Sequence, residues 1–183
     1  MADEAGTARS RPARWVVAVA VLAALGVVLL ALGIRRFSGA PPSPCPSRGR
    51  VLVVHSASHS LFLCRDGRAE VRFRVALGRG GMDKRLEGDG RTPTGSYDLG
   101  PSRPSSSFHR FVPVDYPTKE QRAEGRTGGA IGVHGPDRRA RFLGPFTTWV
   151  DWTAGCLAVG TDPEIDRVAE WTARTGASSI VID

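Results

Sequence analysis

The chain has 183 residues, and its 25 Lys and Arg against 18 Asp and Glu give a formal net charge of +7. The basic residues are almost all Arg and are scattered among acids, without a clustered stripe or interleaved stacking aromatics. This distribution argues against a nucleic-acid-binding module, so we expect no nucleic acid as a partner. The roughly 150 residues that follow an apolar N-terminal segment are enough for one domain with a real core and too few for two.

The apolar segment is an uncharged run over residues 15–34. At a rise of about 1.5 Å per residue, a helix of this length covers the roughly 30 Å hydrocarbon core of a bilayer. The run exceeds the apolar region of a secretory signal peptide, and no clear small-x-small cleavage site follows it. The sequence therefore predicts a single-pass transmembrane anchor over residues 15–34, a short cytoplasmic N-terminus over residues 1–14, and an exported body on the periplasmic or cell-wall side.

Residues 35–49 are rich in Pro, Ser and Gly, which is typical of an extended, semi-rigid spacer. The folded domain is then expected over residues 50–183. Apolar and polar residues alternate over residues 70–77, and this period of two predicts a strand with one buried face. Short β-rich runs predict the other strands, of which the first two form a hairpin: 50–55, 60–65, 96–99, 111–114, 130–134, 157–159 and 178–182.

Two sequences have the pattern of a capping box at a helix N-terminus. Thr118 with Gln121 predicts a short helix that ends at Gly125, and Thr161 with Glu164 predicts a longer one that ends at Gly176. The body is therefore expected to be mainly β, with one or two peripheral helices.

Three cysteines are present, Cys45, Cys64 and Cys156. In an exported protein two of them can pair, and one is left over. Cys45 in the spacer and Cys64 at the end of the second strand can meet at the base of the hairpin, which leaves Cys156 as the free thiol. The alternative, in which all three are separate buried apolar residues, stays open at this point.

Cys156 directly follows Gly155 and precedes an apolar strand. A thiol at this position is accessible to a substrate carbonyl, and the backbone amides beside it can form an oxyanion hole. To act as a nucleophile the thiol must become a thiolate, so its usual pKa near 8.5 has to be lowered by an imidazole or a helix N-terminus.

Four histidines are candidates for that imidazole. His134 ends a predicted strand and forms the simplest dyad with Cys156, although a purely structural His134 is an alternative. His55 and His59 have the spacing of a helical metal pair, but they flank a hairpin turn where this spacing does not bring the rings together. His109 lies in a loop rich in Ser and Pro and is expected to be solvated.

The sequence contains no Asn, which excludes a Cys-His-Asn triad. A third group that orients His134 must then be an acid, a hydroxyl or a backbone carbonyl. GxxxxGK, HExxH and CxxC patterns are also missing, so phosphoryl transfer and zinc-dependent hydrolysis are not expected. We expect neither a metal nor a cofactor.

Three blocks of sequence resemble the L,D-transpeptidase catalytic domain, also called the YkuD domain. They are a strand ending in Leu77-Gly78, the stretch Glu87-Gly-Asp-Gly-Arg-Thr-Pro-Thr-Gly-Ser-Tyr97, and Val133-His134-Gly135 followed by Thr153-Ala-Gly-Cys156. The resemblance covers Arg50 to Asp183, and the middle block is long and unusual enough to be specific. It implies a catalytic domain over residues 50–183, with a mixed β-sandwich or barrel and one or two peripheral helices.

The resemblance also implies roles for individual residues. Cys156 is the expected nucleophile and His134 its base, while the motif positions around the oxyanion hole are Gly155, Thr153 and Gly135. Trp152 and Arg91 are candidates for substrate contacts, with packing and solvation in a turn as the simpler interpretations. Ala154 and Ala158 depart from the residues common in the family, so the acceptor and the exact reaction stay open.

The family implies peptidoglycan as the substrate. A tetrapeptide stem would acylate Cys156 with loss of D-alanine, and an amine of a neighbouring stem or of a wall-linked protein would take the acyl group, as in an L,D-transpeptidase. In the alternative, water resolves the thioester, and the protein is a murein hydrolase of the L,D-carboxypeptidase or amidase type. A non-enzymatic wall-binding module with a buried Cys156 is the third interpretation.

Overall fold

The computed structural model describes residue 19, residues 21–26 and residues 43–183. Val19 and residues 21–26 are helical. Among the residues described, none belongs to a helix of the length and apolar character that crossing a bilayer requires. Most of the anchor predicted over residues 15–34, the N-terminus over residues 1–14 and the start of the spacer, residues 35–42, lie outside the described residues.

Residues 43–183 form a compact unit built on one mixed nine-stranded sheet. The strand order is β4-β9-β1-β2-β3-β8-β7-β6-β5, and the β1–β9 and β7–β8 pairs are parallel while the other pairs are antiparallel. The strands are β1 Arg50–His55, β2 Ser60–Arg65, β3 Arg68–Ala76, β4 Gly95–Asp98, β5 Arg103–Ser105, β6 His109–Pro113, β7 Gly132–His134, β8 Leu157–Val159 and β9 Ser179–Ile182.

The expected mainly β fold is confirmed, and its form is a single curled sheet that resembles half of a barrel. Strands β1, β2 and β8 have the predicted bounds, and most others are shifted by one or two residues. Strand β5 was not predicted because it has three residues and contains Pro104. It lies at an edge of the sheet, where proline is tolerated because an outward-facing N–H has no neighbouring strand to bond.

Both predicted helices are present, α1 over Lys119–Ala123 and α2 over Asp162–Thr175. Each begins with the expected capping box, formed by Thr118 with Gln121 and by Thr161 with Glu164. Helix α2 ends at Gly176, whose φ of 68° lies in the left-handed region that glycine adopts at low cost. The structure adds two 3₁₀ segments that were not predicted, Ser56–Ser58 and Arg141–Thr148.

Helix α2 packs its apolar face against strands β6 and β8 and supports the sheet where the candidate site lies. Ile165, Val168 and Trp171 on this face are fully buried. The Trp171 indole Nε1 donates a hydrogen bond of 2.6 Å to the Glu70 carboxylate, so its polar atom is satisfied. Trp171 therefore packs the last helix on the sheet.

Residues 43–49, the end of the predicted spacer, pack against the domain. Cys45 and Cys64 form a disulfide with a Cα–Cα distance of 5.4 Å, and both side chains are buried. The Ser43 hydroxyl donates to the Gly67 carbonyl at 2.8 Å, and the Gly49 amide donates to the Asp66 carboxylate at 2.9 Å. The disulfide thus closes the chain around the β2–β3 turn and secures the N-terminal edge of the domain.

We expect loss of the disulfide to lower the free energy of unfolding. A cross-link across 19 residues restricts the unfolded chain by about 3 kcal/mol. Urea unfolding of a Cys45→Ser/Cys64→Ser double variant should therefore show a stability lower by roughly this amount, and Cys156→Ser is the matched control with an intact disulfide. A double variant within about 0.5 kcal/mol of wild type would contradict the prediction.

Candidate functional site

The pairing of β7 with β8 brings His134 and Cys156 to the same face of the sheet. His134 lies beside Ala158 in parallel register, and Cys156 precedes Ala158 by two residues. Residues two apart in a strand share a face, so extending the β8 register by one residue to Cys156 puts the two residues diagonally opposite, with Cα atoms about 8 Å apart at standard strand spacings. A hydrogen bond from the backbone of Gly132, at the start of β7, acts to lower the pKa of the Cys156 thiol.

The turn before Cys156 is held by Thr153. Its hydroxyl donates to the Cys156 carbonyl at 2.7 Å and accepts the Gly155 amide at 3.1 Å. Its backbone is tied to the segment after β3, because the Thr153 amide donates to the Leu77 carbonyl and the Thr153 carbonyl accepts from the Arg79 amide. The predicted motif position Thr153 thus fixes the turn, and the Gly155 amide is directed at Thr153.

Gly155 is required by its surroundings. Its φ is 128°, and a Cβ at this position would lie 2.4 Å from the Arg91 carbonyl oxygen, well inside contact distance. The Gly155 backbone therefore packs directly against the chain at Arg91. Cys156 itself is partly exposed and is a free thiol, and its Sγ donates to the Ala130 carbonyl at 3.5 Å.

His134 is oriented by a backbone carbonyl. The sequence, which has no Asn, had left an acid, a hydroxyl or a backbone carbonyl for this role. Its Nδ1 lies 2.7 Å from the Gly135 carbonyl oxygen. Because a carbonyl oxygen can only accept, Nδ1 carries the proton and the lone pair of a neutral ring is on Nε2. Gly135 is also closely packed, since a Cβ there would lie 2.7 Å from the Phe108 carbonyl oxygen.

Three aromatic rings enclose the His134 imidazole, which is only 1% exposed. Phe108 stacks on it with ring centroids 4.0 Å apart, and Phe111 lies nearly parallel at 6.1 Å. Trp152 meets it at a steep angle with centroids 5.8 Å apart. The Trp152 Nε1 donates to the Thr147 carbonyl at 3.0 Å. The predicted substrate residue Trp152 is therefore part of the wall around His134.

Burial shifts both titrating groups towards their neutral forms. It lowers the pKa of His134 to about 4, and the hydrogen bond to Gly135 and the nearby Asp137 carboxylate offset this only in part. Burial raises the pKa of the Cys156 thiol, while the Gly132 hydrogen bond and the Lys84 charge act against it. The sequence-based expectation of a lowered thiol pKa is therefore wrong, because desolvation outweighs the neighbouring positive charge.

The unusual GDGRTP block organises the loop under this turn. The Asp89 carboxylate accepts from the buried Lys84 ammonium at 2.8 Å and from the amides of Arg85, Leu86 and Arg91. Burial raises the pKa of Asp89, but these hydrogen bonds lower it more, so the carboxyl titrates well below its usual range. The Arg91 carbonyl is thereby held against Gly155.

The buried Lys84–Asp89 pair was not anticipated from the sequence. Asp89 in the GDGRTP block indicated that a charged partner was needed. The sequence could not identify Lys84 as that partner, because the loop's conformation brings the two side chains together. The Arg91 side chain, a predicted substrate contact, is exposed and donates to the Met82 carbonyl at 3.1 Å. Its role towards a substrate stays a prediction.

Asp151 is a second residue that the sequence did not single out. One carboxylate oxygen accepts the Leu77 amide at 2.7 Å, and the other lies 3.1 Å from His59 Nε2. This pair ties the segment before Cys156 to the β1–β2 hairpin. His55 instead pairs with Asp183, so the two histidines diverge, and no cluster suited to a metal ion occurs among the described residues.

Comparison with known proteins agrees with the fold and the motifs. Residues 49–182 match the family of the L,D-transpeptidase catalytic domain, YkuD. None of the curated proteins is similar enough in sequence to count as a match.

Solved structures resemble the chain in fold. The helical cell shape determining protein Pgp2 from Campylobacter jejuni has a TM-score of 0.59 and 19% identity, over 79% of this chain and 52% of that chain. Bd1075 from Bdellovibrio bacteriovorus has a TM-score of 0.52 and 22% identity, over 74% and 48%. An L,D-transpeptidase from Xylanimonas cellulosilytica has a TM-score of 0.50 and 18% identity, over 80% and 66%. The chain thus spans about half the length of the first two proteins.

The family match extends over almost all of residues 43–183, and the resemblance expected for Arg50 to Asp183 is confirmed. The blocks around Asp89, His134 and Cys156 all fall inside it. This chain belongs to the L,D-transpeptidase catalytic domain family, YkuD.

Proposed function

We propose that the protein is a peptidoglycan L,D-transpeptidase in which Cys156 is the nucleophile and His134 its base. The observation that carries the proposal is the arrangement on one sheet face of a free thiol and a histidine whose Nε2 is free to accept a proton. Membership of the family supports peptidoglycan stem peptides as the substrate. No cofactor enters this chemistry.

In the acylation step, His134 Nε2 takes the proton of the Cys156 thiol as the sulfur attacks the carbonyl that precedes the terminal D-alanine of a tetrapeptide stem. A tetrahedral intermediate forms, and its oxygen takes the negative charge. When it collapses, the bond to the D-alanine nitrogen breaks and that nitrogen receives the proton from His134 Nε2. The products are free D-alanine and a thioester on Cys156.

In the second step, an amine replaces D-alanine. A side-chain amine of a neighbouring stem peptide, or of a wall-linked protein, attacks the thioester and gives a proton to His134. The sulfur leaves and takes this proton back, so that the thiol and the neutral imidazole are restored. The acyl group ends in a new amide bond, which is the cross-link.

The packed turn supplies the rest of the machinery in this proposal. Since the Gly155 amide donates to Thr153, we assign the oxyanion contact to the Cys156 amide, which the turn presents beside the sulfur. Gly155 and Thr153 then act by holding that amide, and Gly135 acts by holding the His134 ring. Trp152 and Arg91 are proposed to contact the stem peptide.

Hydrolysis of the same thioester is the second candidate function. Ala154 and Ala158 lie two residues before and after Cys156 and offer no polar side chain to bind an acceptor amine, which favours water as the resolving nucleophile. The protein would then be an L,D-carboxypeptidase or amidase. The ratio of cross-linked to trimmed product, with and without an amine acceptor, distinguishes the two reactions.

Peptidoglycan lies outside the cytoplasm, so the proposed reaction requires an exported domain. The predicted anchor over residues 15–34 would hold the domain at the outer face of the membrane. The similarity in fold to a helical cell shape determining protein is compatible with a role in cell shape.

Replacement of Cys156 or His134 should abolish or cripple the reaction. With a disaccharide-tetrapeptide donor, intact-mass analysis should show an acyl adduct and release of D-alanine for wild type and neither for Cys156→Ala. His134→Gln should lose about 10²–10⁴ in rate, since a positioned base contributes this factor. His55→Gln, at the far end of β1, is the matched histidine control and should retain activity. Cross-links formed as well by Cys156→Ala would refute the proposal.

The pH dependence should reflect a neutral dyad. Burial raises the pKa of Cys156, so alkylation of its thiol by iodoacetamide should accelerate about tenfold per pH unit to beyond pH 8.5, without a plateau near neutrality. Burial lowers the pKa of His134 to about 4, so kcat/KM should fall on the acid side only near pH 4, where Nε2 becomes protonated. An alkylation plateau below pH 7 that disappears in His134→Gln would instead reveal a thiolate–imidazolium pair.

Gly155→Ala should lower the acylation rate by more than its loss of folding stability alone would, because the added Cβ collides with the Arg91 carbonyl and moves the turn. Gly81→Ala is the matched control, since Gly81 has a φ of 85° but no atom within 4 Å of the added Cβ. Both variants should lose about 1–2 kcal/mol from the left-handed backbone. Only Gly155→Ala should lose more than tenfold in acylation rate, and equal rates in the two variants would contradict this account of the turn.

A further inference from the structure

The connection between His134 and Cys156 exposes five large apolar side chains. Phe142 is 81% exposed and Val150 is 71% exposed, which is unusual for side chains of this size in one short segment. We call this set the apolar ridge: Phe142, Leu143, Phe146, Trp149 and Val150. It has no role in the chemistry proposed above.

The backbone of the apolar ridge is pinned to the domain. Arg74 Nε donates to the Thr148 carbonyl at 3.1 Å, and Thr148 is itself buried. Pro145 packs so closely on Gly160 that a Cβ there would lie 2.9 Å from the Pro145 Cα. The apolar side chains are therefore presented by an ordered segment, and binding through them would cost little ordering entropy.

A basic pocket opens at the start of the ridge. It has a volume of about 210 Å³ and is lined by Ser105, His109, Arg138 and Arg141. Asp166 pairs with His109, and Asp162 lies 3.6 Å from Arg141. The Arg138 guanidinium donates to the neutral Ser106 carbonyl at 3.1 Å, so its positive charge is not compensated by that contact.

The chemistry of this surface favours a lipid bilayer over a polysaccharide as its partner. Surfaces that bind sugars combine aromatic rings with many hydrogen-bonding side chains, whereas the ridge adds Leu143 and Val150 to its aromatics. Trp, Phe and aliphatic side chains next to Arg are the composition of segments that lie in the membrane interface. Arg138, Arg139 and Arg141 at one end give it the charge that complements anionic headgroups.

We propose that the apolar ridge and the basic pocket together bind the surface of an anionic phospholipid bilayer, with the ridge in the interface and a lipid phosphate in the pocket. This contact is separate from the anchor predicted over residues 15–34. Trp152 joins it to the site, because its ring touches His134 and its Nε1 bonds to the Thr147 carbonyl within the ridge segment.

The contact can be tested on residues 43–183, which contain the described core, both capped helices and the disulfide. This fragment omits the N-terminal apolar segment, so any vesicle binding comes from the domain. We expect it to cosediment at least tenfold more strongly with vesicles of phosphatidylglycerol and phosphatidylcholine than with phosphatidylcholine alone. Phe142→Ser/Val150→Ser should lower this binding at least fivefold, and Arg138→Gln should lower it only on the anionic vesicles.

Leu86→Ser is the matched control, because Leu86 is 58% exposed but lies outside the ridge. It should bind vesicles like wild type, as should Cys156→Ala, which separates this contact from the proposed reaction. Equal binding by the ridge variant and wild type, or no binding by wild type, would overturn the proposal. Loss of binding to insoluble peptidoglycan by the ridge variant, with its vesicle binding unchanged, would overturn it as well.

Discussion

Close backbone packing around the parallel pair of β7 and β8 is the constraint on which the candidate site depends. Each strand has only three residues, so the pairing alone is weak, and its surroundings must fix it. Gly132 lies under the Phe111 ring, and Gly155 lies against the Arg91 carbonyl, in both cases nearer than any side chain would permit. The Asp89 network holds Arg91 in turn. The backbone that carries Cys156 is therefore positioned by packing on both strands, and the sulfur itself adds the contact with the Ala130 carbonyl at 3.5 Å.

The same packing determines the electrostatics of the site. Enclosure by aromatic rings lowers the pKa of His134 to about 4 and burial raises the pKa of Cys156, so both side chains favour their neutral forms at neutral pH. A thiolate formed before substrate binds would be stabilised only by the Gly132 hydrogen bond and the Lys84 charge, which do not offset its burial. The Lys84 charge lowers the pKa of Cys156, but Lys84 is neutralised by Asp89 at 2.8 Å. In the proposed reaction, the proton would therefore move only as the sulfur attacks, when the developing charge meets the Cys156 amide.

The sequence predicted those features that have local causes. Capping boxes at Thr118 and Thr161 are complete within four residues, and alternation along β3 follows from one buried face, so both could be recognised without the fold. His59 and Asp151 are 92 residues apart in the sequence, so their pairing depends on how the hairpin contacts the segment before Cys156 and could not be predicted locally. The 3₁₀ segment from Arg141 was missed for another reason, since Gly144 and Pro145 interrupt any helical period. The thiol pKa was misjudged because burial is a property of the packed molecule.

The connection from Gly135 to Gly155 shows how one segment serves several purposes. It joins two parallel strands that are adjacent in the sheet, and a crossover of about a dozen residues would suffice for that. Instead the chain leaves the sheet, forms the 3₁₀ segment and returns through Asp151 and Trp152, which fix the turn and enclose His134. A longer loop costs little additional closure entropy. The additional residues can therefore form an exposed surface, because hydrogen bonds from Arg74 to the Thr148 carbonyl and from the Leu77 amide to Asp151 attach the segment to the domain.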